Sequence, residues 1–388
     1  MNILFVHDFK AIYDESTDAY YSTGFPYSIW IRYLKVFENL KIVCRSENFV
    51  SNTYEYNVSS GKNVTFSPTN KYTSLKSLIL NYKEIKSSLS EEVLKADGVI
   101  IRVPSVLGFL VASICRKENK PYLVEVVGSM FDTYWYYGNL LSKLIAFPSE
   151  IIQKKTIKNS DIAIYITDSY LQKKYHTCGE QFDSISNVIL DDQFDEEVIP
   201  KYNIDNHKIK LGLVGSTYVN YKGHDLAIRA VYLLRKKGYN VTLEFVGQGL
   251  SENVKDLIVS YNLENIVNYL GVIKNSSEMN KWYKSLDIYI QPSKTEGHGR
   301  AVVEAISNGV TVIASNIGGL PDSIQKEFLF ESKNIDEMTK LIERCINNME
   351  LRKKNIDGNI EKVKKYKKSI VEGKRKVAFN RFRKIVGG

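Results

Sequence analysis

Cysteine is scarce in this chain, with four residues in 388 (Cys44, Cys115, Cys178 and Cys345) and no Cys-x-x-Cys pair. That spacing excludes a disulfide scaffold and a thiolate metal cluster, and free thiols fit a reducing cytoplasm. Long apolar runs are lacking too. The longest, residues 103–115, follows Arg102 and is interrupted by Pro104, well short of the roughly 20 residues that span a bilayer. The opening residues MNILFVHDFK have neither the basic start nor the apolar core of a signal peptide, and read as a short buried strand. What is present is ordinary: 44% hydrophobic and 25% charged residues, which exclude a disordered or fibrous chain and leave a globular one long enough for two domains.

The net charge of +9 is unevenly placed. Residues 351–388 hold fourteen Lys/Arg against Asp357, Glu361 and Glu372, so the rest of the chain is close to neutral. A basic tail on a near-neutral body points away from nucleic acid and towards either an anionic membrane surface or a solvated helix face.

Apolar β-branched runs alternate with helical periodicity, which predicts an α/β chain built on parallel sheets. In the first half, strands are expected at residues 3–6, 40–45, 98–103, 122–127, 162–166 and 184–188, with helices at 26–37, 107–117, 151–158 and 168–175. Residues 191–208 hold Asp191, Asp192, Asp195, Glu196, Glu197 and Pro200 and have the composition of a linker. The pattern then restarts with strand 209–214, a Gly-containing loop, helix 224–237 and strand 241–246, followed by strands at 267–270, 288–291, 311–314 and 328–329. Near the end, Ile356, Ile360, Val363, Tyr366 and Ile370 recur at spacings of three and four, which predicts one long helix with lysines on its other faces. The expected organisation is a Rossmann-like domain over 1–190, a linker over 191–208, a second Rossmann-like domain over 209–350, and a basic helix over 351–388 that returns to the first domain.

The most informative stretch is Glu296-Gly297-His298-Gly299-Arg300-Ala301-Val302-Val303-Glu304, just after the strand ending at Gln291. A strand that runs through a Gly-containing loop into a helix places backbone N–H groups at the carboxyl edge of a parallel sheet, where they bind phosphate. Carboxylates such as Glu296 and Glu304 suit paired sugar hydroxyls, because each offers two acceptor oxygens. An isolated pair of this kind is commonly a solvated loop residue and a helix-surface residue. Here the context is richer: Gly215, Lys222-Gly223-His224-Asp225, Gly247-Gln248-Gly249 and Gly318-Gly319-Leu320-Pro321 each lie just beyond a strand of the same half. Several Gly turns and one lysine thus converge on one sheet edge, where a nucleotide diphosphate would lie.

These motifs closely resemble the retaining glycosyltransferases of family 4, over essentially all of residues 208–329. The first half is similar more loosely, through Thr23-Gly24 after the first strand and Ser186-Asn187-Val188 before the linker. The resemblance implies the GT-B fold, two facing Rossmann-like domains with a C-terminal crossover helix. It implies that Glu304 binds the ribose hydroxyls and that Glu296 contacts the transferred sugar. Lys222 would stabilise the departing diphosphate, with Gly215, Ser216, Gly247 and the Gly297-His298-Gly299 loop around it and backbone amides near Arg300, Ala301 and Val302 helping. Backbone at Val272 and Ile273 would read the base. His298 is expected to shape the pocket rather than act as a base.

Two departures from the family pattern stand out. The loop Gly215-Ser216-Thr217-Tyr218 lacks the family's second phosphate clamp, an arginine, unless Arg300 replaces it. The strand at 122–127 runs into Gly128-Ser129, where many members have a histidine; Asp132 or His7 would be the substitutes. On the acceptor side the expected residues are Gly24, Gly128 and Asp132. The aromatic stretch 135–147 would either line an acceptor groove, lie against lipid headgroups, or form a packed helix.

Charge accounting sets the expected mechanism. Breaking a glycosidic bond to diphosphate leaves negative charge on the leaving group and positive charge on the sugar, so cations and amides are needed at the phosphate end. With no Asp-x-Asp motif, neither metal nor cofactor is expected, and transfer would retain configuration. The expected activity moves a hexosyl or N-acetylhexosaminyl group from a nucleotide-diphosphate sugar, with UDP as donor carrier, to a glycan acceptor that is lipid-linked, in bacterial capsule or O-antigen polysaccharide biosynthesis. The alternatives are a soluble acceptor, as in glycogen or sucrose-type synthases, and an inert binding module. The expected location is the cytoplasm, with peripheral membrane contact left open and nucleic acid not a partner.

Overall fold

The computed structural model describes residues 1–47, 56–69, 72, 74–136, 140–205 and 208–387. Residues 137–139 of the aromatic stretch and 206–207 of the acidic stretch lie outside the described residues. The chain divides into two units, one made of Met1–Phe131, Ala146–Ile185 and Glu372–Gly388, the other of Asp132–Ile145 and Ser186–Val371.

Up to Ile185 the elements are β1 (Asn2–Asp14), β2 (Ala19–Ser22), α1 (Tyr27–Leu34), β3 (Asn39–Glu47), β4 (Asn57–Val58), β5 (Val64–Thr69), α2 (Leu75–Leu80), α3 (Tyr82–Lys95), β6 (Gly98–Val103), α4 (Val106–Lys117), β7 (Tyr122–Val126), α5 (Met130–Trp135), α6 (Leu140–Lys158), β8 (Ile162–Tyr165), α7 (Tyr170–Lys174) and β9 (Glu180–Phe182). The sheet has a parallel core in the order β5-β3-β1-β6-β7-β8-β9. β2 pairs antiparallel with β1, and β4 with β2. Every residue of β6 and β7 is buried, as expected of central parallel strands covered on both faces.

Three sequence expectations need correction here. β1 is far longer than 3–6, because a register shift between Val6 and Lys10 lets it continue along β3 and then fold back against β2. Gly24 therefore follows the second strand rather than the first. Residues 184–188 form no strand; β9 at Glu180–Phe182 takes the place beside β8.

The second half contains α8 (Phe194–Glu197), β10 (Ile209–Val214), a 3-10 turn (Asn220–Lys222), α9 (His224–Lys236), β11 (Val241–Val246), α10 (Glu252–Ser260), β12 (Val267–Tyr269), α11 (Ser276–Ser285), β13 (Ile288–Gln291), α12 (Arg300–Ser307), β14 (Thr311–Ser315), β15 (Leu329–Phe330), α13 (Ile335–Asn347), α14 (Met349–Val363), a 3-10 turn (Lys364–Tyr366) and α15 (Lys368–Gly387). All six strands are parallel, in the order β12-β11-β10-β13-β14-β15. Numbered from β10, that is 3-2-1-4-5-6, the doubly wound Rossmann order.

The single terminal helix is also corrected. A 3-10 turn at Lys364–Tyr366 and the extended backbone of Lys367 (φ −54°, ψ 141°) separate α14 from α15. The break changes the phase of the apolar stripe. Ile356, Ile360, Val363 and Tyr366 are buried, but Ile370 is 40% exposed, and Val371, Ala378, Phe379 and Phe382 turn inward instead. The acidic stretch and the basic tail meet within the second unit. Asp195 pairs with Lys367 at 2.7 Å and Lys364 at 3.4 Å, and Asp192 accepts from the Ser369 amide at 2.9 Å.

Candidate active site

In a sheet of this order the connections leaving strands 1 and 4 go to opposite sides, and the crevice between them is where such folds bind ligands. Here those strands are β10 and β13, which are sheet neighbours. A cavity of about 600 Å³ opens at this point, bordered by Gly215, Lys222, Gly247, Glu296, Arg300 and Glu304, among others.

Local sequence dictates how each side chain arrives. Lys222 ends the 3-10 turn after β10, and Gly223 immediately starts α9. The turn after β11 is latched to the loop after β10: Ser216 Oγ donates to Gln248 O (2.9 Å) and Thr217 Oγ1 to Gly249 O (2.9 Å). Glu296 lies in the loop after β13, and Gly318 packs behind it. A Cβ at Gly318 would collide with the Glu296 carbonyl, and its φ of 58° is one that L side chains rarely adopt. Gly299 caps α12 with φ 79° and no side-chain hydrogen bond, so the N–H groups of the helix's first turn are left without a side-chain cap, and Arg300 and Ala301 of that turn border the cavity.

Lys222 Nζ is 2.8 Å from Glu296 Oε2, and both side chains are largely buried. Burial alone would pull the ammonium down, but the Glu296 carboxylate outweighs it and holds Lys222 above the ordinary lysine range. Ser293 Oγ also reaches Glu296 Oε2, at 3.2 Å, and itself accepts from Gln291 Nε2 at 2.8 Å. Glu304 accepts from Tyr283 OH at 2.9 Å, with Arg300 Nε 4.0 Å away. Burial raises the Glu304 carboxyl, partly opposed by the Tyr283 hydroxyl and Arg300. His224, behind Gly215, is driven down to about 4 by burial, and one ring nitrogen lies 3.2 Å from the Gly215 carbonyl. It is a neutral packing residue.

The structure brings together Gly215, Lys222, Gly247, Val272, Ile273, Glu296, Gly299, Arg300, Ala301 and Glu304 around the one cavity. Four expected residues do not border it. Ser216 bonds to the neighbouring loop, and Gly297 sits within the turn. His298 is buried with its ring 4.8 Å from that of Tyr366. Val302 is buried, and its amide donates to Gly299 O at 3.0 Å, so the helix contributes through Arg300 and Ala301 instead. Arg300, the expected substitute for the missing clamp, is the first residue of α12 and borders the cavity.

The acceptor-side residues lie elsewhere. Gly24 follows β2, and Gly128 follows β7, with its carbonyl accepting from Gln153 Nε2 at 2.8 Å. At the place of the missing histidine, Ser129 Oγ accepts from Tyr175 OH (2.7 Å) and Lys174 Nζ (2.9 Å). Asp132 sits in α5. His7, on β1, is lowered to about 3 by burial, with Arg102 adding to the effect. None of these borders the cavity.

Sequence reasoning missed the wall formed by Lys274, Asn275, Ser276, Met279 and Asn280, and the partner Tyr283. A signal was available: Asn275 precedes α11 and its side chain accepts from the Ser277 amide at 2.8 Å, an Asn cap three residues before Glu278. Among the described residues, no group of three or more His, Cys, Asp or Glu side chains could hold a metal ion. The cavity is bordered by Lys222, Lys274 and Arg300, by the N-terminus of α12 and by the carboxylates of Glu296 and Glu304, a donor set suited to an anion flanked by hydroxyls.

Comparison with known proteins gives a consistent picture. Residues 194–362 match the family described as glycosyl transferases group 1. The chain is 45% identical over 387 residues to Protein CapJ of Staphylococcus aureus, covering 100% of this chain and 97% of CapJ. It is 28% identical over 171 residues to the capsular polysaccharide biosynthesis glycosyltransferase CapM of Staphylococcus aureus, covering 39% of this chain and 43% of CapM. Among solved structures, HepE from Anabaena in complex with UDP and glucose superposes with a TM-score of 0.64 at 15% identity, covering 97% of this chain and 98% of HepE.

Proposed function

Because this chain belongs to the group 1 glycosyl transferases and has the GT-B fold, we propose that it takes a hexosyl or N-acetylhexosaminyl group from a UDP-sugar. The acceptor is a hydroxyl of a lipid-linked glycan, and the pathway is capsular polysaccharide biosynthesis. The observation that carries this reading is the Lys222–Glu296 ion pair at 2.8 Å, set at the switch point between β10 and β13 beside the start of α12. The role named for CapM supports the capsular assignment, and the UDP and glucose held by HepE support the donor class.

In the resting site Lys222 is neutralised by Glu296. An incoming diphosphate competes for the ammonium, and α12 presents its N-terminus to the same charge. Glu296 is then released to accept from hydroxyls of the transferred sugar, while Glu304 accepts from the ribose and the backbone at Val272 and Ile273 borders the base. As the C1–O bond to the β-phosphate breaks, negative charge grows on the leaving oxygen, where a preorganised cation is most effective. The acceptor oxygen bonds to C1 on the face that the phosphate leaves, and its proton passes to the departing phosphate oxygen. The products are the glycoside, with configuration retained, and UDP. Lys222 and the helix N-terminus carry the charge stabilisation in this scheme, without a divalent ion.

The test is a thermal-shift panel of UDP, GDP and their sugars, with and without magnesium and with EDTA, followed by NMR assignment of the anomer formed. Stabilisation by UDP that survives EDTA, and an axial-to-axial product, are expected. Absence of any nucleotide-dependent shift overturns the donor reading; an inverted anomer overturns the mechanism.

A further inference from the structure

α6 is built inside out. Its inward positions are mostly small or polar: Ser142, Ala146, Ser149, Gln153 and Thr156 are all buried. Gln153 secures that face, accepting from the Met130 amide at 2.7 Å and donating to the Gly128 carbonyl at 2.8 Å. The outward positions are large and apolar. Leu140, Leu144, Phe147 and Ile151 recur at helical spacing on a single line, from 76% exposed at Leu140 to 68% at Ile151. A helix whose polar groups face the core and whose apolar line faces water is unstable in its exposed position unless something covers that line.

The same helix ends in Lys154, Lys155 and Lys158, which with Lys173 and Lys174 surround an open cavity of about 610 Å³. Lys154 pairs with Glu150 at 3.5 Å; the surroundings are otherwise strongly cationic. An apolar line continued by lysines matches one kind of partner: a surface that is anionic outside and apolar just beneath. Long lysine stems can lie along such a boundary while their ammonium groups stay with the headgroups.

We propose that α6 seats the protein on an anionic lipid bilayer, lying in the plane of the interface with Leu144, Phe147 and Ile151 inserted and the lysines of its C-terminal turns on the headgroups. No helix among the described residues is long and apolar enough to cross a membrane, which fits an interfacial rather than a spanning mode. The basic tail is the weaker candidate, because much of its charge is engaged within the fold. Lys362 Nζ donates to the Pro321 and Ile324 carbonyls at 2.7 Å, Lys364 and Lys367 pair with Asp195, and Arg381 pairs with Glu180. The proposal stands independently of the donor chemistry, since it rests on a different surface.

Flotation of the full-length protein with vesicles tests it. Wild type should float with equimolar phosphatidylglycerol and phosphatidylcholine, be released by salt, and stay behind with phosphatidylcholine alone. The double variant Leu144→Ser/Ile151→Ser should lower partitioning about 30-fold, and Lys154→Glu/Lys155→Glu/Lys158→Glu by more than about 100-fold. Both should keep the wild-type melting temperature and nucleotide response. A tail variant, Lys374→Glu/Lys376→Glu/Lys384→Glu, should float like wild type. The proposal fails if the α6 variants float normally, if the tail variant alone loses binding, or if wild type ignores the mixed vesicles. It fails equally if sedimentation shows a dimer that Ile151→Ser dissociates, since a second copy would then cover the line.

Discussion

Replacing Lys222 by alanine probes the step on which the proposed chemistry turns. In the resting site its ammonium is 2.8 Å from Glu296, and Glu296 is otherwise held by Ser293 Oγ at 3.2 Å. Two separable losses follow from that geometry. The departing diphosphate loses one preorganised cationic donor, which costs about 2.7–4 kcal/mol in the transition state, or about 10²–10³ in kcat. The ground state suffers differently: Glu296 is left as a largely buried carboxylate facing the incoming diphosphate, so KM rises. Lys222→Ala/Glu296→Gln removes that repulsion and should return KM towards wild type while kcat stays low. Single-turnover sugar transfer and steady-state UDP release, with melting temperatures as a folding control, separate the two effects. Unchanged kcat in Lys222→Ala, or recovery of kcat in the double variant, refutes the assignment.

Other substitutions test neighbouring parts of the argument. Gly215→Ala introduces a Cβ only 2.8 Å from Lys222 Cγ, so the lysine stem must shift, and kcat should fall about tenfold with little change in melting temperature; wild-type kcat would mean that the stem position is immaterial. Glu304→Gln should weaken UDP binding about 10–100-fold by calorimetry, through loss of a charged acceptor. It should also raise the melting temperature at neutral pH. Burial raises the folded-state pKa of Glu304, so its charged form is penalised above the ordinary carboxyl range and the penalty disappears in acid; a lower melting temperature at pH 7 contradicts this. Phe379→Ala, which empties the space against Tyr33 (5.1 Å) and Phe37 (5.8 Å), should cost about 3–5 kcal/mol in denaturant melts. Ile370→Ala should cost less than about 1 kcal/mol, and the reverse order would restore the unbroken helix.

The second half of the chain was legible because its strands are short, β-branched and buried on both faces. The strands at 209–214, 241–246 and 288–291 appear with the expected bounds, and Gly215, Gly247 and Pro292 mark where each gives way to a loop. β2 and β4 were not legible. They are antiparallel additions whose pairing is set by the fold-back of β1, and Ala19–Ser22 carries no distinctive alternation. The tail failed for a related reason: three-and-four spacing runs unbroken from Ile356 to Ile370 in sequence, yet one extended residue, Lys367, shifts the phase of everything after it. Spacing reports a helix; it does not report that the helix stops and starts again.

The active-site residues divide in the same way. Gly215, Gly247 and Gly299 could be found because a phosphate-sized anion needs backbone approach, and only glycine permits it where φ is positive or space is short. Tyr283, which donates to Glu304 from a different helix, could not be found, because no pattern in the chain links residues 283 and 304. α6 exposes a deeper limit. Periodicity reveals that a helix has an apolar and a polar side, and the usual inference assigns the apolar side to the core. That assignment assumes water on the other side. Where Gln153 is satisfied by the Met130 amide and the Gly128 carbonyl, and Ser149 by the Ala146 carbonyl, most of the polar face can be buried at little cost, and the apolar face is left for another medium. The sign of amphipathicity is thus set by the hydrogen-bond partners the fold supplies, and vesicle binding by the α6 variants is a measurement of that sign.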